Sequence, residues 1–327
     1  MFAASLEGCP GSIRQSRPGC ARERVGCLTP FPGPRKATGM GLASTFSKTA
    51  GTAPKPDSDP LAALLKLGRP LVMGILNVTP DSFSDGGRFT EPASAVAHAG
   101  DMAEQGADLI DVGAESTRPY GGAKPVSADE ELERLKPVLP GVIKLGLPVS
   151  VDTLKASVAA WALDQGAAIV NDVWGLQRDP DMAPLIAARG VPVIVMHNRE
   201  AVDETIDIVA DVVAYFTRSL EIAAAAGIAR DRIVLDPGIG FGKTPQQSIT
   251  CIARLSKFRR FGLPLLVGAS RKRFINSVAP SAPGERIGGS IASHLMAVEN
   301  GAAIVRVHDI KETVQALRVA AAIGASR

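Results

Sequence analysis

The sequence predicts one α/β domain, a (β/α)8 barrel, behind a disordered N-terminal extension. Three observations carry this expectation. From Pro60 onward, one pattern recurs eight times: a helical stretch ends at a glycine, and within a few residues an apolar, largely β-branched run begins. The runs are too short for helices and lack polar alternation, as expected of strands covered on both faces. A polar side chain stands at the end of nearly every run, where a parallel TIM barrel assembles its site.

The units follow in order. Gly68 precedes LVMGIL, Gly106 DLIDV, Gly146 LPVSVD and Gly166 AAIVND. Gly190 precedes VPVIVM, Gly227 RIVLD, Gly262 LPLLVG and Gly301 AAIVRV. Glycine just past a helix end supplies a left-handed cap. Between the runs lie amphipathic stretches of helical length, such as Ala93–Gln105, Ala128–Leu145, Val202–Ala226 and Ile310–Ala322. Repeated strand-then-helix units with right-handed crossovers close into a barrel; a doubly wound open sheet is the competing architecture.

Composition sets the boundaries. Residues 1–57 are rich in Gly, Pro, Ser and Arg, show no apolar period, and are read as disordered, leaving 58–327 as the barrel domain. Met40, followed by GLASTFSKTAG, is a candidate start of translation. The extension holds 8 Lys and Arg against 3 Asp and Glu, leaving 28 against 30 in the body. The net charge of +3 therefore belongs to the front segment, and the body offers no bulk argument for nucleic acid or a membrane surface. Cys9, Cys20 and Cys27 fall in that segment and Cys251 stands alone, with no CxxC spacing, so a reducing, cytoplasmic setting is expected. No apolar run has the length to cross a bilayer.

The chemistry is expected at the strand ends. In order they carry Asn77; Asp111 with Glu115; Asp152; Asn171 with Asp172; His197; Asp236; Ser270, Arg271 and Lys272; and Arg306 with His308. Asp152, Asn171 and Asp236 suit a planar heterocycle with several N–H donors. Asn77, Arg306 and His308, with Lys272 nearby, suit phosphate oxygens. An acidic side and a basic side together point to a heteroaromatic phosphate ester, and carboxylates facing a ring stabilise positive charge developing there. LDPGIGFGKT is neither a P-loop, because Pro237 stands where glycine is needed, nor a dinucleotide fingerprint, because Lys243 does. It is read as a Gly-rich turn that brings backbone to a ligand, with Phe241 and Lys243 as its useful side chains.

NVTPDSFSDGG, ESTRP, SVDT, ND, LDPGIGFGK, SRK and RVHD, in this order and each at a strand end, resemble the dihydropteroate synthases of the pterin-binding enzyme family. The resemblance covers about residues 70–322 and implies condensation of 6-hydroxymethyl-7,8-dihydropterin diphosphate with 4-aminobenzoate to 7,8-dihydropteroate and pyrophosphate in folate synthesis. It associates Asp152, Asn171, Met196, Asp236, Phe241 and Lys272 with the pterin. Asn77, Thr117, Arg118, Arg306 and His308 match diphosphate-binding positions, Asn77 also the Mg²⁺ position. Phe83, Thr117, Arg118, Lys272 and Arg273 match the 4-aminobenzoate pocket, and Asp81 and Ser82 belong with Phe83 to the first of two closing loops. Asp152, Asp236 and Lys272 are the catalytic candidates, in a dissociative mechanism. The family also implies a homodimer and small-molecule partners alone. Competing expectations are a methyltetrahydrofolate methyltransferase sharing the pterin set, and a non-catalytic pterin-binding barrel.

Other residues have plainer readings. His98, His294 and Cys251 are expected to be structural, and Trp161 to be packing. His197 either lines the cavity or is a satisfied buried group, and Trp174 stands near the rim. The ADEELERLK run reads as a solvated helix start and face.

Overall fold

Eight strands form one all-parallel sheet: β1 (Leu71–Asn77), β2 (Leu109–Gly113), β3 (Val149–Asp152), β4 (Ile169–Asp172), β5 (Val193–Met196), β6 (Ile233–Asp236), β7 (Leu266–Val267) and β8 (Ile304–Val307). Neighbours in the chain are neighbours in the sheet from β1 to β6, and β8 pairs with both β1 and β7. A parallel bridge between Leu235 and Leu265 joins β6 to the approach of β7 and closes the ring. The computed structural model describes residues 59–78, 91–115 and 126–326. The extension expected over residues 1–57 lies outside them.

Eleven α-helices occur among the described residues. They are α1 (Pro60–Leu65), α2 (Glu91–Glu104), α3 (Ala128–Leu135), α4 (Leu139–Ile143), α5 (Ala156–Gln165), α6 (Met182–Arg189), α7 (Ile208–Ala226), α8 (Pro245–Ala253), α9 (Arg273–Val278), α10 (Ile287–Glu299) and α11 (Ile310–Ala325). The single helix expected over Ala128–Leu145 is divided. Pro137 brings no N–H donor to the junction, and Pro140 has its fixed φ suited to the first turn of α4. α7 begins later than expected because the Asp207 carboxylate accepts from Val209 N–H at 2.9 Å and Ala210 N–H at 3.2 Å, capping the helix there. None of the described helices is long and apolar enough to cross a membrane.

Side chains alternate between the two faces of each strand, and this separates two cores. Val72, Ile110, Val151, Val170, Val195, Leu235, Val267 and Val305 pack outward with the helices. Leu71, Met73, Leu109, Ile169, Ile194, Val234, Leu266 and Ile304 form a second cluster inside the ring, joined by Leu61 of α1. Leu64 and Leu65 pack against it too, so α1 plugs the N-terminal mouth. Two residues further along the same faces, Leu109, Ile169, Ile194, Val234 and Ile304 give way to Asp111, Asn171, Met196, Asp236 and Arg306. The interior is therefore apolar below and, Ile75 and Met196 aside, polar above, and the polar tier belongs to the C-terminal ends of the strands.

Candidate active site

The polar tier is tied together by one guanidinium. Arg306 on β8 donates from Nε to Asp111 Oδ2 at 2.5 Å and from Nη2 to Asp152 Oδ2 at 2.8 Å. Asn171 Nδ2 donates to the same Asp111 oxygen at 3.1 Å. Strand register makes this possible: Asp152 stands opposite Gly113 on one side and Asn171 on the other. A side chain at Gly113 would put its Cβ 3.3 Å from that of Asp152, so glycine leaves room for the carboxylate. Acidic and basic groups were expected on facing sides; instead Arg306 reaches onto the acids. Asp111, fully buried, is the shared acceptor, and its place two residues along the inward face from Leu109 was legible although no role followed from sequence. Asp111 Oδ1, Asn171 Oδ1 and Ser150 Oγ have no hydrogen-bond partner within the described protein, which leaves acceptor capacity in this tier.

Asp236 ends β6 beside Met196, its register partner on β5. Its Oδ1 accepts from Gly238 N–H at 2.7 Å. Burial pushes its carboxyl up to about 6, against the pull of that hydrogen bond and of Lys272, Arg306 and Lys243. Burial also holds the Asp152 carboxyl above the usual range, with Arg306 opposing and Asp111 adding to the rise. Lys272, the residue before α9, places Nζ 4.1 Å from the centre of the Phe241 ring, a cation–π contact. The six residues Asp152, Asn171, Met196, Asp236, Phe241 and Lys272 thus have inward or loop positions at one mouth of the barrel, with Arg306 among them.

His308 follows β8, and its Nδ1 lies 2.9 Å from Ser270 Oγ. Arg271, at φ +56°, pairs with Asp309 through Nη2–Oδ1 at 2.5 Å, and Arg286 Nη1 donates to its carbonyl at 3.0 Å. Within SRK, Arg271 therefore braces the corner while Lys272 meets Phe241. Arg273 is exposed on the first turn of α9, and Asn77 is half-buried at the end of β1. Asp81, Ser82, Phe83, Thr117 and Arg118 lie outside the described residues.

Three smaller readings are sharpened. His197 is a satisfied buried group: Nε2 lies 2.9 Å from Asp211 Oδ2 and Nδ1 lies 2.7 Å from Lys243 Nζ. Lys243 is itself buried, with its ammonium on His197 Nδ1, Gly238 O and Phe241 O, so its donors are used within the protein. Trp161 packs on the outer core, while Trp174 carries the Arg178 guanidinium 4.8 Å above its ring. His294 is buried and accepts from Ala269 N–H at 3.2 Å, whereas His98 faces solvent.

The charge run expected to be solvated is corrected at Glu131, which is fully buried. Lys155 bridges Glu131 Oε2 at 2.7 Å and Glu115 Oε2 at 2.6 Å. Glu115 Oε1 also accepts from Val126 N–H at 3.2 Å, joining the two sides of segment 116–125. Burial pushes the Glu131 carboxyl up, with Lys155 opposing. The available signal was helical spacing: Glu131 stands four residues before the buried Leu135, on the stripe facing the core.

The family model for pterin binding enzymes matches residues 73–308. The chain is 46% identical over 252 residues to dihydropteroate synthase of Bacillus subtilis, covering 77% of this chain and 87% of that protein. It is 45% identical over 262 residues to that of Escherichia coli, covering 78% and 92%. Among solved structures, the Xanthomonas albilineans dihydropteroate synthase with 4-aminobenzoic acid superposes with a TM-score of 0.76 at 44% identity, covering 79% of this chain and 94% of that one. The same enzyme in complex with 7,8-dihydropteroate gives a TM-score of 0.73 at 42% identity, covering 79% and 95%. A closed parallel barrel with an acidic, arginine-bridged tier at its C-terminal mouth, matched over most of its length to these proteins, belongs to the pterin-binding enzyme family, alongside that family's dihydropteroate synthases.

Proposed function

We propose that this barrel is a transferase that condenses 6-hydroxymethyl-7,8-dihydropterin diphosphate with 4-aminobenzoate, releasing pyrophosphate and forming 7,8-dihydropteroate for folate synthesis. The observation that carries it is the meeting of Asp152, Asn171, Asp236, Lys272 and Arg306 at one mouth, with Arg306 2.8 Å from Asp152. The curated relatives carry the corresponding name over 77–78% of this chain.

Each residue has a physical role in a dissociative displacement. Asp236 and Asp152 accept from the N–H edge of the pterin, with the Asn171 amide beside them. As the bond between the methylene carbon and the bridging oxygen breaks, the pair goes to the diphosphate and positive charge spreads into the ring. The two carboxylates, held by burial in a low-dielectric tier, favour that charge. Arg306 and His308 meet the departing diphosphate. Arg306 already shares its charge with Asp111 and Asp152, so it links the acids that hold the ring to the group that leaves. Lys272, fixed over Phe241, orients 4-aminobenzoate, whose neutral amine attacks the methylene carbon and loses its proton after bonding. Thr117, Arg118 and Phe83 are assigned to the diphosphate and the second-substrate pocket, with Arg273 nearby, and the exclusion of water from the cation falls to their two loops.

Asn77 offers Mg²⁺ one neutral oxygen, and among the described residues there is no cluster of three or more His, Cys, Asp or Glu suited to a metal ion. Such a donor set fits a Mg²⁺ ion carried mainly by phosphate oxygens and water rather than a resident one. When bound, the ion would neutralise charge on the diphosphate. A cytoplasmic homodimer is the setting we assign; exposed Met296 on α10 and Val319 and Ile323 on α11, two helices that pack together, support an apolar subunit contact.

The test is pyrophosphate release by the full chain. Release that requires both 4-aminobenzoate and Mg²⁺, with formation of dihydropteroate, is expected. Release independent of 4-aminobenzoate, or methyl transfer from methyltetrahydrofolate, would overturn the proposal.

A further inference from the structure

The turn that follows β6, from Asp236 to Lys243, has little regular structure of its own. Gly238 and Gly242 both have positive φ, +63° and +53°, and both press on the chain leaving β5. A Cβ at Gly238 would lie 2.0 Å from the His197 carbonyl oxygen, and one at Gly242 would lie 2.4 Å from Arg199 Cβ. Glycine permits this approach, but it also raises the entropy lost on ordering the turn. Some other group must hold it.

Lys243 is 3% exposed, and an ammonium so buried is tolerated only when its donors are matched. Its Nζ lies 2.9 Å from Gly238 O, 3.0 Å from Phe241 O and 2.7 Å from His197 Nδ1. An ammonium can only donate, so His197 Nδ1 accepts and the imidazole proton sits on Nε2. That N–H donates to Asp211 Oδ2 at 2.9 Å, on the first turn of α7, where Arg199 also pairs with Asp211 at 2.8 Å. Burial and the Lys243 charge lower the imidazole to about 4, which keeps it neutral. One continuous hydrogen-bonded line therefore joins the turn to helix α7: Lys243 donates to two carbonyls of the turn and to His197, and His197 donates to Asp211.

Resting on the pterin assignment above, we infer that Lys243 is a positioning residue for the pterin. By drawing in the carbonyls of Gly238 and Phe241, it sets where the Asp236 carboxylate and the Phe241 ring stand. Gly238 is the link to the carboxylate, since its N–H holds Asp236 Oδ1 at 2.7 Å while its carbonyl receives Lys243. The residue acts through the turn and touches no reacting atom.

The experiment compares wild type with Lys243→Met and His197→Gln, using 6-hydroxymethylpterin binding by calorimetry and steady-state kinetics. Lys243→Met is expected to weaken pterin binding about tenfold, the scale of one charge-assisted hydrogen bond, with the KM for 4-aminobenzoate within about twofold. His197→Gln, which keeps an acceptor for the ammonium, should lose about threefold on the same scale. Hydrogen exchange of the Gly238–Lys243 amides, read without ligand, should accelerate in both variants. If Lys243→Met does not fold, His197→Gln carries the same readouts. Unchanged exchange, unchanged pterin affinity, or equal losses for both substrates would overturn the inference. A wild type that binds no pterin would overturn the pterin assignment, while the exchange result still judges whether Lys243 holds the turn.

Discussion

Replacing Asp236 by Asn separates the demands of binding from those of folding. The Asp236 carboxyl is displaced from 3.8 to about 6 by burial. That is about 2 pH units at 1.36 kcal/mol each, or about 3 kcal/mol. Because the folded value is raised, this group's favourable contribution is present in full below its unfolded value. It is lost as pH rises from about 4 through about 6. At pH 7.5 the fold therefore carries an ionised buried carboxylate at that cost, and Asp236→Asn relieves it. The Tm should hold or rise, by roughly 2 °C per kcal/mol recovered. Binding moves the other way. Oδ1 is committed to Gly238 N–H at 2.7 Å, so the new amide turns its NH₂ toward the pocket and meets the ligand's N–H donors with another donor. Losing one charge-assisted acceptor is worth about 1.5–3 kcal/mol, an affinity loss of about 10- to 150-fold for 6-hydroxymethylpterin. Calorimetry and thermal melting at pH 7.5 read both quantities. A variant that binds within twofold of wild type, or one that melts several degrees lower, refutes the reasoning.

Further outcomes follow from the same geometry. Wild-type affinity for 6-hydroxymethylpterin should fall as pH drops through about 6, the value for Asp236, and this limb should vanish in Asp236→Asn. Lys155→Met strands Glu131 buried and unpaired, so stability should drop by about 3–5 kcal/mol in urea titration, with partial recovery in Lys155→Met/Glu131→Gln. Gly238→Ala drives a Cβ to within 2.0 Å of the His197 carbonyl; soluble yield should collapse, and a wild-type Tm would refute the contact.

Much of the barrel was legible because each strand is short, apolar and preceded by a helix-ending glycine; Gly166, Gly190 and Gly227 do cap their helices in the left-handed conformation. Strand ends were equally plain, which is why Asp152, Asn171, Asp236 and Arg306 could be picked out one by one. Their pairing was not. Arg306 and Asp111 are 195 residues apart in the chain, and only closure of β8 onto β1, with β2 next to it, brings them together. The burial of Lys243 and of Glu131 was hidden for a common reason. A charged residue in a loop or on a helix start is normally solvated, and its burial depends on partners, His197 and Lys155, supplied by distant strand ends. Asp172 shows the finer limit: its neighbour Asn171 looks into the barrel, while Asp172 looks out and accepts from Trp174 and Leu176 N–H at 2.9 and 2.6 Å.

The guanidinium lodged between Asp111 and Asp152 bears on how the two halves of the substrate sense ionic strength. Because these acids carry their own counter-ion at contact distance, added salt has little left to screen there. Capture of the uncharged ring should thus be nearly the same in dilute and concentrated buffer. The polyanionic tail has no such insulation, and attraction of the intact diphosphate should weaken as salt is added.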